Sequence, residues 1–339
     1  MSTVLLKNED SLLPLDPNKK QSILLLGPDA TTPYTGGQGS GAVTTNDALV
    51  SPLEAFTAMG LDVEYDSAND TTTAVEKAKK ADVVIIFGSA HSGEGHDRDS
   101  LNLSGNIDDL IPKVGAVQPK TVVMVTTPGS LLTDWRGSVP SILTNFLPGE
   151  QVGNSVADIL FGAVSPQGKL PVSFPNKDNE QEMTTKQYPG VQTDDFELQA
   201  EYTEGQIVGY RWYDKKEVKP AFGFGHGLSY GDGFEFSNLL IDGRRISFDI
   251  KKSAGSAACD TPQVYFGYPG AKADAKIPTK VMRYFEKRCE SGTISFEYSD
   301  RDVSNWSVEK QAWDITRGEY SLMIGSSSQD IRLTASFSV

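Results

Sequence analysis

Residues 82–103 read DVVIIFGSAHSGEGHDRDSLNL. After Asp82 come five β-prone apolar residues, Val83 to Phe87, with no polar position among them. A strand that is apolar at every position is buried on both faces, as in the parallel sheets of α/β proteins. The residues that follow are of the opposite kind: His91, Glu94, His96, Asp97 and Arg98 stand among Gly, Ser and Ala. Loops at the carboxyl ends of strands are where open α/β sheets bind ligands. A carboxylate held beside an arginine there has its charge state set by neighbours, which acid–base chemistry requires. The competing reading of 87–103 is a solvated polar loop, and the rest of the chain has to separate the two.

The same texture recurs on either side. Ser22 to Leu26 (SILLL), closed by Gly27-Pro28, reads as a buried parallel strand, and 61–65, 121–126 (TVVMVT) and 141–146 (SILTNF) read as further strands. Helical segments at 51–59, 72–81, 107–117 and 153–161 separate them. This alternation predicts a mostly parallel sheet with right-handed crossovers and helices on both faces. After Pro175 the pattern stops. Residues 176–199 are polar and aperiodic, and the next stretch is crowded with Tyr202, Tyr210, Trp212, Tyr213, Phe222, Phe224 and Tyr230. From Phe234 onward, short alternating runs at 234–241, 246–250, 263–268, 292–298, 319–324 and 331–339 are separated by turn residues. That spacing predicts a separate all-β sandwich of the immunoglobulin or fibronectin type III kind. The expected organisation is an α/β domain over 1–200, a joining segment over 201–233 and the all-β domain over 234–339.

Composition narrows the function classes. The chain has 339 residues, 31 basic against 45 acidic, for a net charge of −14. There is no basic footprint for nucleic acid, and an anionic membrane surface would repel the chain. No apolar run approaches the roughly 18 residues of a spanning helix. Two cysteines, Cys259 and Cys289, exclude a disulfide framework and a cysteine-rich zinc site; they form either one bridge or an unpaired buried pair. Asn69, Asn102 and Asn305 begin glycosylation sequons. The opening MSTVLLKNEDSLLPL lacks the charged-then-apolar layout of a signal peptide, so the expectation is a cytosolic chain or the tail of something longer. The loop Tyr34-Thr-Gly-Gly-Gln-Gly-Ser-Gly41 follows a strand, but it has neither GxGxxG nor GxxxxGK[ST] spacing, which argues against a nucleotide site.

A family resemblance rests on motifs spread through the chain. Phe146-Leu-Pro-Gly-Glu-Gln-Val-Gly-Asn154, Ala157-Asp-Ile-Leu-Phe-Gly162 and Gly168-Lys-Leu-Pro-Val-Ser-Phe-Pro175 resemble the second domain of family 3 glycoside hydrolases of the β-glucosidase type. Tyr202-Thr-Glu-Gly205, Gly209-Tyr-Arg-Trp-Tyr-Asp214 and Phe224-Gly-His-Gly-Leu-Ser-Tyr230 resemble the segment that leads to a fibronectin type III-like domain. Arg301-Asp302, Trp306, Gly318-Glu-Tyr-Ser-Leu322 and Gly325-Ser-Ser-Ser328 continue the match into that domain. The N-terminal Val4-Leu-Leu-Lys-Asn8 and Leu12-Leu-Pro-Leu15 are similar to the entry into the second domain.

The resemblance implies a retaining glycosidase acting on a β-glucoside or oligosaccharide, with no cofactor and no metal. Such an enzyme needs two carboxyl groups about 5–5.5 Å apart, one as nucleophile and one as acid/base. In the family the nucleophilic aspartate lies on an N-terminal (β/α)8 barrel of roughly 200 to 300 residues, and this chain begins where that barrel would have ended. The partner it implies is therefore a barrel domain or chain. The second domain's SGEG-type loop before a DR pair matches Ser92-Gly-Glu-Gly95 and Asp97-Arg98, so Glu94 is the expected acid/base. Asp97 and Arg98 are expected to support the loop as an ion pair. Gly37, Gly39 and Ser40 would lie near the mouth of the site, and His91 is a candidate sugar contact, with a solvated loop histidine as its alternative. Thr133-Asp134-Trp135 mimics the nucleophile motif, but its place between two strands of the second domain assigns it to structure. No nucleophile is expected in this chain. Family tendency points to an extracellular setting. The rival reading is a non-catalytic carbohydrate-binding or accessory module, or a split-enzyme subunit that docks on a separate barrel chain.

Overall fold

The computed structural model describes residues 3–339 apart from 43, 46–47, 195–196, 232, 255–256 and 272. These divide into two units, 3–170 with 174–178 and 227–230, and 171–173 with 179–226 and 231–339. Residues 179–226 cluster with the second unit, although the sequence reading divided them between the first domain and a joining segment.

Six strands make the sheet of the first unit: β1 (Val4–Asn8), β2 (Ser22–Leu26), β3 (Asp62–Asp66), β4 (Val83–Ser89), β5 (Thr121–Thr126) and β6 (Ser141–Asn145). Their order is β1-β6-β5-β4-β2-β3. All neighbours are parallel except β1, which runs antiparallel along β6. Sequence reading treated β1 only as an entry segment. It pairs because Val4, Leu5 and Leu6 are buried, while the Lys7 Nζ donates to the carbonyls of Arg136 and Val139 at 2.9 and 2.8 Å.

Four helices cover the sheet: α1 (Pro52–Ala58), α2 (Thr71–Ala78), α3 (Ile107–Gly115) and α4 (Val152–Leu160). The start of α1 is set locally. Ser51 accepts from the Glu54 amide, the Glu54 carboxylate accepts from the Ser51 amide at 2.8 Å, and Pro52 fixes the first helical φ. Successive strand residues point to opposite faces. Ile23, Leu25, Ile85, Phe87 and Met124 accordingly share one core with Phe56 of α1 and Val156 and Leu160 of α4. The intervening Leu24, Leu26, Val84, Ile86, Val123 and Val125 are equally buried, towards the face where α2 meets α3. The continuous apolar runs of the sequence follow from having helices on both faces. The tail of FGHGLSY belongs to this unit as well: the Leu228 amide donates to the Leu5 carbonyl at 2.8 Å, and the buried Tyr230 hydroxyl donates to the Ile159 carbonyl at 2.9 Å.

The second unit is antiparallel. In chain order it contains β7 (Val191–Gln192), β8 (Leu198–Gln199), α5 (Tyr210–Lys216), β9 (Phe234–Asp242), β10 (Arg245–Lys252), β11 (Gln263–Gly267), β12 (Val281–Phe285), β13 (Gly292–Glu297), β14 (Ser304–Ser307), β15 (Ala312–Ile315), β16 (Glu319–Gly325) and β17 (Ile331–Ser338). A sheet ordered β13-β10-β9 and another ordered β12-β11-β16-β17 share a core that includes Phe248, Phe266, Tyr320 and Leu322. This is the expected two-sheet sandwich. Five strands of the second unit were not foreseen, among them the two-residue β7 and β8 in the stretch read as aperiodic. In β12 the middle of VMRYF is Arg283, whose charge interrupts the apolar alternation, and β14 and β15 form a polar hairpin carrying Trp306 opposite Trp313.

Cys259 and Cys289 are bonded to each other, 30 residues apart in sequence. Closing a loop of that length removes chain entropy worth about 3–4 kcal/mol from the unfolded state. Replacing both cysteines by serine is expected to lower the stability of the second unit by that order in denaturant unfolding, with the first unit's transition unmoved.

Candidate active site

Between β2 and β4 the sheet changes direction. The chain leaves β2 for α1 on one face and leaves β4 for α3 on the other, so the loops that follow these two neighbouring strands part from each other. Such a switch point leaves a crevice at the carboxyl ends of the strands. The Gly-rich loop follows β2, and the loop with Glu94 follows β4. At the base of the crevice Gly27 has φ +96°, and a Cβ there would lie 2.1 Å from the Phe87 carbonyl oxygen, so only glycine lets the two strand ends come this close.

Glu94 stands at the tip of a tight turn. Gly93 and His96 exchange backbone hydrogen bonds at 3.1 and 3.0 Å, and Gly95 supplies the positive φ of +75° that the second central position of such a turn requires. The side chain is exposed, and its Oε2 accepts from the Ser40 amide at 2.6 Å. Hydrogen bonding from Ser40, through its side chain and then its backbone, holds the Glu94 carboxyl below the ordinary glutamate value. Gly39 makes that approach possible: at φ +74° a Cβ would sit 2.4 Å from the Glu94 Cβ. Glu94, Gly39 and Ser40 are thus in contact. Gly37 lies two residues before Gly39 in the same loop, where a Cβ would be 4.0 Å from Leu147.

The rest of the loop is anchored differently from the sequence expectation. No Asp97–Arg98 ion pair forms among the described residues; Asp97 is exposed, and the half-buried Arg98 donates from Nη1 to the Ser130 carbonyl at 2.9 Å. The Ser130 carbonyl lies in the β5–β6 connection, so the arginine ties the loop to a neighbouring strand end and not to its own chain neighbour. Further on, Asp108 of α3 accepts from the Leu103 amide at 2.8 Å and from Trp135 Nε1 at 2.6 Å. Burial raises the Asp108 pKa; the bonds from Trp135 and Leu103 counter it, and Asp109 and Asp134 add to it. Trp135 is buried in that role, while Asp134 faces solvent at the start of a short 3-10 turn. The Thr-Asp-Trp motif therefore serves to hold α3 and the end of the loop. His96 is exposed in the turn, and His226 lies in the second unit, stacked on Phe222.

His91 lies against Ser89 and Tyr34. Its Nε2 is 2.8 Å from the Ser89 Oγ, and its ring stacks on Tyr34 with centroids 4.3 Å apart. Ser89 in turn donates to Asp29 at 2.9 Å. Asp29 and Ser89 were not singled out from sequence. The only signal was an acid directly after Gly27-Pro28 at a strand end, and a polar residue closing an otherwise apolar strand.

Comparison with known proteins places this geometry. The glycosyl hydrolase family 3 C-terminal domain matches residues 3–230, and the fibronectin type III-like domain matches 260–328. The chain belongs to glycosyl hydrolase family 3. It is 32% identical to the probable beta-glucosidase L of Aspergillus terreus, covering 100% of this chain and 52% of that protein. It is 33% identical to an exo-alpha-(1->6)-L-arabinopyranosidase of Bifidobacterium breve, covering 98% and 47%. The crystal structure of the Bifidobacterium adolescentis GH3 beta-glucosidase superposes with a TM-score of 0.87 at 31% identity, over 99% of this chain and 51% of that one. The chain spans about half the length of the curated relatives it matches, and it aligns with the C-terminal half of the family 3 β-glucosidases.

The Ser40 contact makes a pH prediction. Because the Glu94 pKa is lowered, the contact is complete above the ordinary glutamate range and is lost as pH falls through the lowered value. Gly39→Ala places a methyl group against Glu94 in a left-handed backbone. The expected result is a Glu94 carbon-13 carboxyl titration midpoint that moves back up towards the ordinary value, in a chain that still folds.

Proposed function

We propose that this chain is the C-terminal part of a retaining β-glucosidase-type glycoside hydrolase acting on terminal β-linked glucosides. In this reading Glu94 is the acid/base, and the nucleophilic carboxylate lies outside the chain, on a (β/α)8 barrel domain or chain. One observation carries it: an exposed carboxylate at the tip of a tight turn over the switch-point crevice, held there by the Ser40 amide. In the first step the outside carboxylate attacks the anomeric carbon while protonated Glu94 gives its proton to the departing glycosidic oxygen. In the second, the Glu94 carboxylate takes a proton from water, and that water's oxygen displaces the enzyme ester and releases the sugar.

The acid role needs a raised pKa, yet Ser40 lowers it here. A sugar and a covering wall that strip water from the carboxyl, and weaken the Ser40 bond, would turn it into an acid. Gly37, Gly39, Ser40 and His91 would border the bound sugar, and Arg98 would support the loop through Ser130. The relatives include both a β-glucosidase and an arabinopyranosidase, so the choice of glycone is assigned to the barrel side. The Cys259–Cys289 bond is at home in an oxidising compartment, and an extracellular setting is part of the reading.

One carboxylate cannot perform a double displacement. The chain alone is expected to show negligible turnover of an aryl β-glucoside, and the chain joined to a family barrel is expected to be active. In that assembly Glu94→Gln should lower hydrolysis of an alkyl β-glucoside, whose leaving oxygen needs a proton, by roughly 10²–10⁴-fold, whereas Asp134→Asn should leave it near its starting rate. Turnover by the isolated chain that disappears on Asp134→Asn would overturn the assignment.

A further inference from the structure

Asp29 is a carboxylate at 7% exposure, placed just beyond β2 where the Gly-rich loop begins. Both of its oxygens are occupied. Oδ1 accepts from the Tyr34 amide at 3.1 Å, and Oδ2 accepts from the Ser89 hydroxyl at 2.9 Å. Ser89 is itself buried and closes β4. With its own hydrogen given to Asp29, its Oγ accepts from His91 Nε2 at 2.8 Å, which assigns the imidazole proton to Nε2. The His91 ring then stacks on Tyr34 at an interplanar angle of 24°, and the Tyr34 hydroxyl donates to the Ser92 carbonyl at 2.7 Å.

These contacts close a circuit from Asp29 to Tyr34, across the stack to His91, through Ser89 and back to Asp29. Two of its members belong to the loop after β2 and two to β4 and the loop after it. Ser40 lies six residues beyond Tyr34 and Glu94 lies two beyond Ser92, so the circuit stands at the root of the pair that meets at the tip. Burial pushes the Asp29 pKa up, and Ser89, Tyr34 and His91 counter it. A buried carboxylate is poor evidence of stabilisation, since apolar packing of similar volume does as well or better. What this one supplies is a fixed direction for four hydrogen bonds and a ring.

We propose that Asp29, acting through Ser89, Tyr34 and His91, is a positioning residue that sets the register of the two loops and so holds Glu94 against Ser40. The role in catalysis rests on the reading of Glu94 as acid/base, but the positioning is a property of the chain itself. It is therefore tested on the purified 339-residue chain, without turnover. The readouts are the Glu94 carboxyl titration and the hydrogen-exchange rate of the Ser40 amide, neither of which follows global stability in a folded protein. His91, His96, Asp97, Arg98 and Asp99 are the other titratable and charged groups of the same loop, and Asp29 faces it from the loop after β2.

In Ser89→Ala and in Tyr34→Ala the Glu94 midpoint is expected to rise towards the ordinary glutamate value, and Ser40 exchange to quicken about tenfold, the loss of one charge-assisted hydrogen bond. Ser89→Thr, which keeps the hydroxyl, should behave as the unchanged chain. Tyr34 is only half-buried, so its variant folds even if Ser89→Ala does not. A folded Asp29→Ala or Tyr34→Ala chain in which Glu94 and Ser40 behave as before would overturn the proposal. Absence of glucosidase activity in the barrel-joined enzyme would count against the acid/base assignment and leave this result standing.

Discussion

Neighbouring parallel strands whose crossovers leave to opposite faces cannot have their exit loops closed over each other, because each loop must follow its own helix. In this chain that constraint acts between β2 and β4. Everything in the first unit that bears on chemistry depends on it. The buried runs of β2 and β4 bring their carboxyl ends together, and Gly27 removes the side chain that would hold them apart. The Gly-rich loop and the Glu94 loop then rise from one point and lean on each other at Ser40. The second unit obeys a different constraint, the sealing of two antiparallel sheets around Phe266 and Tyr320, and reaches its stability without the first unit's crossovers.

A loop with this many polar residues would be mobile if it hung from its two ends alone. Three ties prevent that, and they differ in kind. Asp108 grips the descending end through Leu103 and Trp135, Arg98 ties the middle to the Ser130 carbonyl, and the Asp29 circuit holds the ascending end. Two of the three use a carboxylate whose pKa burial has raised, so each carries a desolvation cost offset by hydrogen bonds from neutral donors. The tip is different: Glu94 is exposed and its pKa is lowered by hydrogen bonding from Ser40. The loop thus combines hydrogen-bonded supports along its length with one exposed carboxylate at its tip.

Much of this was legible from the residues. Five apolar positions in a row at Val83 to Phe87 can be read as a doubly covered strand, and the motif series from Phe146 to Tyr230 resembled family 3 closely enough to place the chain in it. The unread parts share a cause: their partners are distant in sequence. Asp29 and Ser89 are 60 residues apart, and nothing local to either announces the bond. Arg98 was assigned to its chain neighbour Asp97, yet the carbonyl that holds it is 32 residues away. In the same way β12 escaped notice because Arg283 interrupts its apolar alternation, and the Tyr268 ring over which its guanidinium lies is 15 residues away. Adjacency in sequence is a poor guide to pairing when the groups sit on loops.

The lowered pKa of Glu94 bears on how the family's architecture divides the work. A carboxyl that must be an acid near neutral pH has to be lifted by a few units, and each unit corresponds to about 1.4 kcal/mol of preference for the neutral form. Among the described residues of the first unit the Ser40 bond acts in the opposite direction. On the proposed acid role, the lift would come from burial of the carboxyl against a bound sugar and an opposing surface. Protonation, sugar binding and covering of the crevice would then be a single coupled event, since each removes water from the same oxygen. In that reading the exposed carboxylate held by the Ser40 amide is the form the loop takes before the crevice is covered.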